Sequence, residues 1–206
     1  MSWSGEIEIC NAALSLLGAT RITSLDLDTS TNAILCNLFY SQCRDTALRA
    51  YPWNFATKRK NLGAPLAAID ADYPVWGFQY GYTLPTTPYC LRVLEVEDLN
   101  PYKIEGRLLY SNSSSVLIKY IARIESPAQF DDGFKVALAA MIAMNLAIPI
   151  TKSKSMLEAM SALYANLMDA AEHADTQEGT PDEIDSNELL DVRNGSFVSN
   201  TQALIG

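Results

Sequence analysis

His173, with Glu172 before it and Asp175 two residues on, is the single histidine among 206 residues. A Ser-His-Asp relay needs its imidazole buried and oriented by the carboxylate. A histidine at the solvated end of a helical pattern has neither. Three carboxylate pairs, Glu95/Glu97, Asp131/Asp132 and Asp26/Asp28, could serve acid–base hydrolysis only if two carboxyl groups faced each other across a cleft. Glu95 and Glu97 stand two apart in a strand pattern and share one face, the wet one by expectation. Asp131 and Asp132 open a helical pattern, where carboxylates answer the positive end of the dipole. Neither G-x-x-x-x-G-K-[ST] nor G-x-G-x-x-G occurs, so nothing cradles a nucleotide phosphate.

Cys10, Cys36, Cys43 and Cys90 lack C-x-x-C spacing, and zinc sites want closely spaced soft ligands. Three of them fall in helical patterns, where a reduced cysteine packs as a small hydrophobe. No catalytic residue, metal or cofactor is expected. The basic run Lys58-Arg59-Lys60, with Arg49, Trp53 and Phe55 nearby, has one functional reading: aromatics stack on bases while cations hold phosphates. The plainer one has the aromatics fastening the chain to a core while the cations sit in water. Between them lies a third, in which Lys58, Arg59 and Lys60 meet acids of a neighbouring subunit.

The net charge of −9 is uneven. From Glu172 onward eight acids face Arg193 alone, seven of the nine net negative charges, so the preceding body is close to neutral. Such a chain is a poor tight binder of phosphate backbones, which need clustered Lys and Arg. The first residues, Met1-Ser2-Trp3-Ser4-Gly5-Glu6, carry neither a basic stretch nor an apolar run of the secretory kind. The longest apolar stretch, Val136 to Pro149, is short for a bilayer, so no membrane association is expected.

These residues must be positioned by few elements. Ser4 can cap a helix whose apolar face is Ile7, Cys10, Leu14 and Leu17, ended by Gly18 in a left-handed turn. Thr29 or Ser30 starts a second helix with Ile34, Leu35, Leu38, Phe39, Ala47, Leu48 and Tyr51 as apolar positions, stopped by Pro52. Strands are expected over 53–62, 78–82, 90–97, 102–104, 107–110 and 116–124, with turns near Glu105-Gly106 and Asn112-Ser113. A third helix, apolar nearly all round, runs from Asp131-Asp132 to about Ile148, where Pro149 should end it, and belongs at a buried centre or between subunits. A fourth covers about Ser153 to Ala174, with Met156, Leu157, Met160, Leu163, Tyr164, Leu167 and Ala171 on one side. The order reads α+β: a bundle of four helices from 1–52 and 127–175, an inserted antiparallel β module at 53–126, and an extended C-terminal tail at 176–206.

Certain strings carry a resemblance. Asn11-Ala12-Ala13-Leu14-Ser15-Leu16-Leu17-Gly18, the junction Arg49 to Leu62, Leu84-Pro85 with Cys90-Leu91-Arg92-Val93-Leu94, and Tyr120-Ile121 through Pro127 and Phe130 are the residues concerned. So are the Ala-rich helix ending in Ala147-Ile148-Pro149 and the long helix after it. Over about residues 6–175 the chain resembles the tail tubular protein A family, the head-to-tail adaptors of short-tailed bacteriophages. The resemblance implies a structural protein of the virion tail, assembled in the host cytoplasm as a ring of identical subunits, typically twelve. That ring docks under the portal protein, receives the tail nozzle or other tail proteins, and leaves a channel through which double-stranded DNA passes. In the tail, Leu189, Leu190, Phe197, Val198, Leu204 and Ile205 are the apolar residues expected to clip onto portal or an adjacent subunit. Two rival readings remain at this point, a cell-wall or capsule hydrolase using Glu95 and Glu97, and a DNA-binding accessory protein using Lys58 to Lys60.

Overall fold

A computed structural model describes Trp3 and residues 5–66, 77–97 and 101–178 of the chain. The expected cap Ser4, most of the loop after Gly63 and all but the start of the tail lie outside those residues. Helix α1, Glu6–Leu16, starts after Gly5, whose N–H donates to Glu8 Oε2 at 2.9 Å. Its end follows from Gly18, at φ +66°. There Ala19 N–H reaches back to Leu14 O and Gly18 N–H to Ser15 O, which satisfies two orphan carbonyls. The loop beyond is strapped down by Asn11, whose side chain exchanges two hydrogen bonds with the backbone of Ile22 at 2.8 and 2.9 Å.

Helix α2, Thr31–Ala50, is capped by Ser30 Oγ, which accepts from Ala33 N–H, and its backbone turns extended at Tyr51 before Pro52. Its buried face differs from the expected one. Ala33, Cys36, Tyr40, Cys43, Ala47 and Leu48 face inward, whereas Ile34 and Leu38 are 60 % and 65 % exposed. The sequence holds two stripes at helical spacing, and the one with smaller side chains is buried. Small residues let a helix come close to its neighbour, and here Asn145 Nδ2 of the neighbouring helix donates to Cys43 Sγ at 3.5 Å.

The chain after Pro52 does not enter a strand at Trp53, as periodicity suggested. It first makes a 3-10 turn, Asn54–Ala56, and strand β1 spans only Thr57–Asn61. Trp53 Nε1 donates to Ala47 O at 3.0 Å, and the backbone N–H groups of Trp53, Asn54 and Ala56 go to Tyr51 O, the Asp175 carboxylate and Trp53 O, so this segment is tied to the helices and these amides do not join a ladder. The other strands are β2 Tyr80–Thr83, β3 Cys90–Val96, β4 Tyr102–Glu105, β5 Leu108–Ser111 and β6 Leu117–Ala122. With β1 they form two three-stranded antiparallel sheets, ordered β1-β6-β3 and β2-β5-β4. Pro85 and Pro88 interrupt the chain between β2 and β3, and residues without an N–H cannot continue a ladder.

Helix α3, Asp132–Thr151, is capped by Asp131 Oδ1, which accepts from Gly133 N–H at 2.8 Å and Phe134 N–H at 3.3 Å. Pro149 does not end it. The ring removes one donor near the C-terminus, and the helix runs on two residues to stop at Lys152, which takes the left-handed region at φ 55°. Helix α4, Lys154–Gln177, starts from Ser153 Oγ accepting Met156 N–H and returns along α3. Gly133 lets the two come together: a Cβ there would sit 3.2 Å from Ala171 Cβ. All three other helices touch α3. It has the length and mean hydropathy, 1.8, of a membrane span, but more than half of it is buried against protein. Among the described residues the architecture is thus mixed α/β: four helices and two small sheets over one continuous apolar core.

Candidate functional site

Trp53 is the hub where helices meet sheet. It is fully buried, and its ring meets those of Tyr51, Phe55 and Phe134 at centroid distances of 5.0–5.8 Å. Phe130 continues the set against Phe55 and Phe134. The aromatics flanking the basic run are therefore core residues and offer no stacking platform. Lys58, Arg59 and Lys60 themselves are exposed on edge strand β1. Arg59 stands in register with Lys119 of β6, and Lys119 with Glu95 of β3, 3.8 Å away. That row uses Glu95 as the partner of a cation; Glu97 is likewise exposed at the strand end.

The other candidate acids have structural partners too. Asp131 caps α3, and Asp132, held below the usual carboxylate range by its bond to the Lys135 ammonium, pairs with it at 2.7 Å. Asp28 accepts from Ser30 and Thr23 N–H groups, which lower its pKa. His173 is exposed on α4, while Asp175 points the other way and is 7 % exposed. Asp175 accepts Asn54 N–H at 3.0 and 3.2 Å, and Asn54 Nδ2 donates back to Asp175 O. Burial pushes its carboxyl up despite those bonds. An acid whose folded pKa lies above its unfolded one binds its proton more tightly when folded, so its contribution to stability falls as pH rises between the two values. Asp175→Asn should flatten that decline in a denaturation series across the acid range. Asp175→Ala, leaving Asn54 N–H unpaired, should cost about 1–3 kcal/mol, and the cost should be larger at low pH, where the parent carboxyl contributes most.

Cys10, Cys36 and Cys43 are all buried between helices. The hydrogen bond to Cys36, with burial, raises the Cys10 thiol, and burial alone pushes Cys43 up to about 11. The Cys10 and Cys43 thiols are thereby kept from the reactive thiolate form, while the hydrogen bond from Cys10 lowers the Cys36 thiol. No group of three or more metal-ligating side chains occurs among the described residues.

Two concave features remain. The first is a cleft of about 510 Å³ where the end of α2 meets both sheets, lined by Arg49, Arg92, Arg107 and Arg123 around Tyr89 and Cys90. Arg49 Nη1 donates to Leu91 O at 2.6 Å, and Arg92 Nη1 to Ala50 O at 3.3 Å. Arg107 donates to the carbonyls of Cys90, Leu84 and Pro85. The guanidiniums of Arg107 and Arg123 lie 4.0 and 4.5 Å from the Tyr89 ring centroid, within cation–π range. Among the described residues, Arg123 alone of the four has a carboxylate partner, Asp45, which also holds the buried Arg44. Burial raises the Cys90 thiol although Arg107 and Arg49 pull it down. Apart from Arg49, none of these cations was singled out from sequence, because each stands alone among apolar neighbours and comes from a different element.

The second feature is an apolar groove of about 850 Å³ between α1, α3 and α4. Leu16, Val136, Leu163 and Leu167 form its walls, Ala12 and Ala139 its floor, and Glu8 and Arg21 lie on its rim. Leu16 and Val136 are 40 % and 39 % exposed. The expected tail contacts Leu189, Leu190, Phe197, Val198, Leu204 and Ile205 lie outside the described residues. Compared with known proteins, the chain matches no family model and no curated protein.

Proposed function

We propose that this chain is a structural subunit of a virion tail, the head-to-tail adaptor of a short-tailed bacteriophage, working as one member of a ring of identical copies. In this reading the four helices act as one bundle, with the sheets as an inserted module and the tail extended toward portal or a neighbour. The observation that carries it is the apolar groove. A contiguous apolar concavity on a chain of this size marks a surface that meets another molecule, and interfaces between permanent partners resemble a core cut in half. Ile34 and Leu38, one turn apart on the outer side of α2 and more than half exposed, give a second apolar strip, as a head-to-tail ring contact between unlike faces requires. Glu95, Asp28, Asp131 and Asp132 are used in ion pairs, a turn and a cap, and the thiols are buried, which supports a mechanical role. The family resemblance in the junction and the Leu-Arg-Val strand supplies the identity of the partners: portal on one side, nozzle or other tail proteins on the other, DNA passing between. A near-neutral body suits a channel through which DNA slides.

Placing a charge in the groove tests this. Val136→Asp with Leu163→Asp should leave the circular dichroism of the subunit unchanged, since both positions are partly solvated, and abolish its higher-order species in native mass measurements. Unaltered assembly with two carboxylates in the groove would remove that surface as the ring contact.

A further inference from the structure

We propose that in the free subunit, before its tail reaches portal or a neighbour, the arginine cleft binds the chain's own acidic segment, residues 182–191, so that the tail is held in cis against the sheets. Arg49, Arg92 and Arg107 are fixed by backbone carbonyls, and among the described residues no carboxylate lies in ion-pair contact with any of them. A carbonyl orients a guanidinium without neutralising it. Each guanidinium has five N–H donors; Arg49 and Arg92 commit one apiece and Arg107 three, which leaves donors from all three for a ligand. Bidentate pairing with a carboxylate is the contact such forks favour.

The place where α4 ends names the occupant. Thr176 Oγ1 meets Tyr51 Oη at 2.6 Å, and Asn54 Nδ2 holds Asp175 O at 2.7 Å. Tyr51 directly follows Ala50, whose carbonyl accepts from Arg92. The last turn of α4 therefore lies beside the cleft. From Glu178 the chain continues into Asp182, Glu183, Asp185, Glu188 and Asp191, and four residues span about 13 Å when extended. A tether this short gives an effective concentration of about millimolar, which lets individually weak ion pairs bind. A cleft of about 510 Å³ accepts a few side chains of an extended acidic peptide.

A glutamate-specific protease reads the contact, because it cuts after Glu183 and Glu188 inside the segment. Two full-length variants are compared with the parent chain at low salt: Arg49→Gln with Arg92→Gln, and Asp182→Asn with Asp185→Asn and Asp191→Asn, which spares both cutting sites. Each should be cut at Glu183 and Glu188 about ten-fold faster than the parent, and all three rates should converge at high salt. The second set leaves the body untouched, so slow folding of the first cannot mask the result. Equal rates at low salt overturn the proposal. So does protection that rises with protein concentration, which would place the segment on a neighbouring copy. Loss of duplex-DNA retention in the arginine variant with tail cutting unchanged would make the cleft a nucleic-acid site instead.

Discussion

Replacing Trp53 by alanine should remove about 3–5 kcal/mol of stability, a large share of what a domain of this size possesses. The side chain is fully buried and is the largest in the core. It touches three other rings at 5.0–5.8 Å, and such pairs contribute about 0.5–1.5 kcal/mol each beyond area burial. Its Nε1 also satisfies Ala47 O in the last turn of α2. Alanine would open a cavity between α2, α3 and β1 and orphan that carbonyl. Trp53→Phe keeps part of the volume and loses the donor, so it should fall between. Equilibrium chemical denaturation of the three proteins checks the order; a loss below about 1 kcal/mol for alanine would mean that the hub is not where the helices and sheet are joined.

Asp45→Ala should be nearly as damaging, about 3–5 kcal/mol, the range for breaking a buried ion pair. Asp45 Oδ1 takes Arg44 Nη2 at 2.9 Å and Nε at 3.0 Å, and its other oxygen takes Arg123 Nη2. Arg44 is 7 % exposed, and Arg123 Nε is already buried with no partner. Removing that carboxylate leaves the buried Arg44 with only the charge of Glu6 nearby, and Arg123 with no ion-pair partner among the described residues. Asp45→Asn should recover only part of the loss, since it keeps an acceptor and not the charge. The pair-to-apolar replacement Arg44→Met with Asp45→Leu should be milder than Asp45→Ala if Arg44 carries most of the cost. Thermal and denaturant midpoints for the three variants decide; equal stability of Asp45→Ala and the parent would remove the ion trio as a structural element.

Local chemistry announced much of this molecule. Ser30, Asp131 and Ser153 cap the helices at the positions their types suggested, Pro52 stops α2, Gly18 turns left-handed, and the all-apolar third helix is the one the other three touch. What could not be read was non-local. Two stripes of α2 have helical spacing, and only contact with α3 decides which is buried. Strand periodicity carries no information about which strands pair, so the division into two sheets is not legible in it. Pro149 reads as a stop because its missing N–H breaks a ladder, yet near a C-terminus a helix can lose one bond and continue. The arginine cleft and the apolar groove gather residues from several elements each, with no local pattern to betray them. Of the readings open for the aromatic-basic string, the plainer one holds: Trp53 is buried and fastens the chain to the core while Lys58, Arg59 and Lys60 are exposed.

The central claim, that the chain works as one of many identical copies between portal and tail, is tested most directly by native mass measurement of the full chain alone and after mixing with a portal ring of a short-tailed phage. The account predicts a closed multiple of the 22.6 kDa subunit bound to portal with one fixed stoichiometry. A chain that remains at 22.6 kDa at every concentration, with portal present and absent, would contradict it.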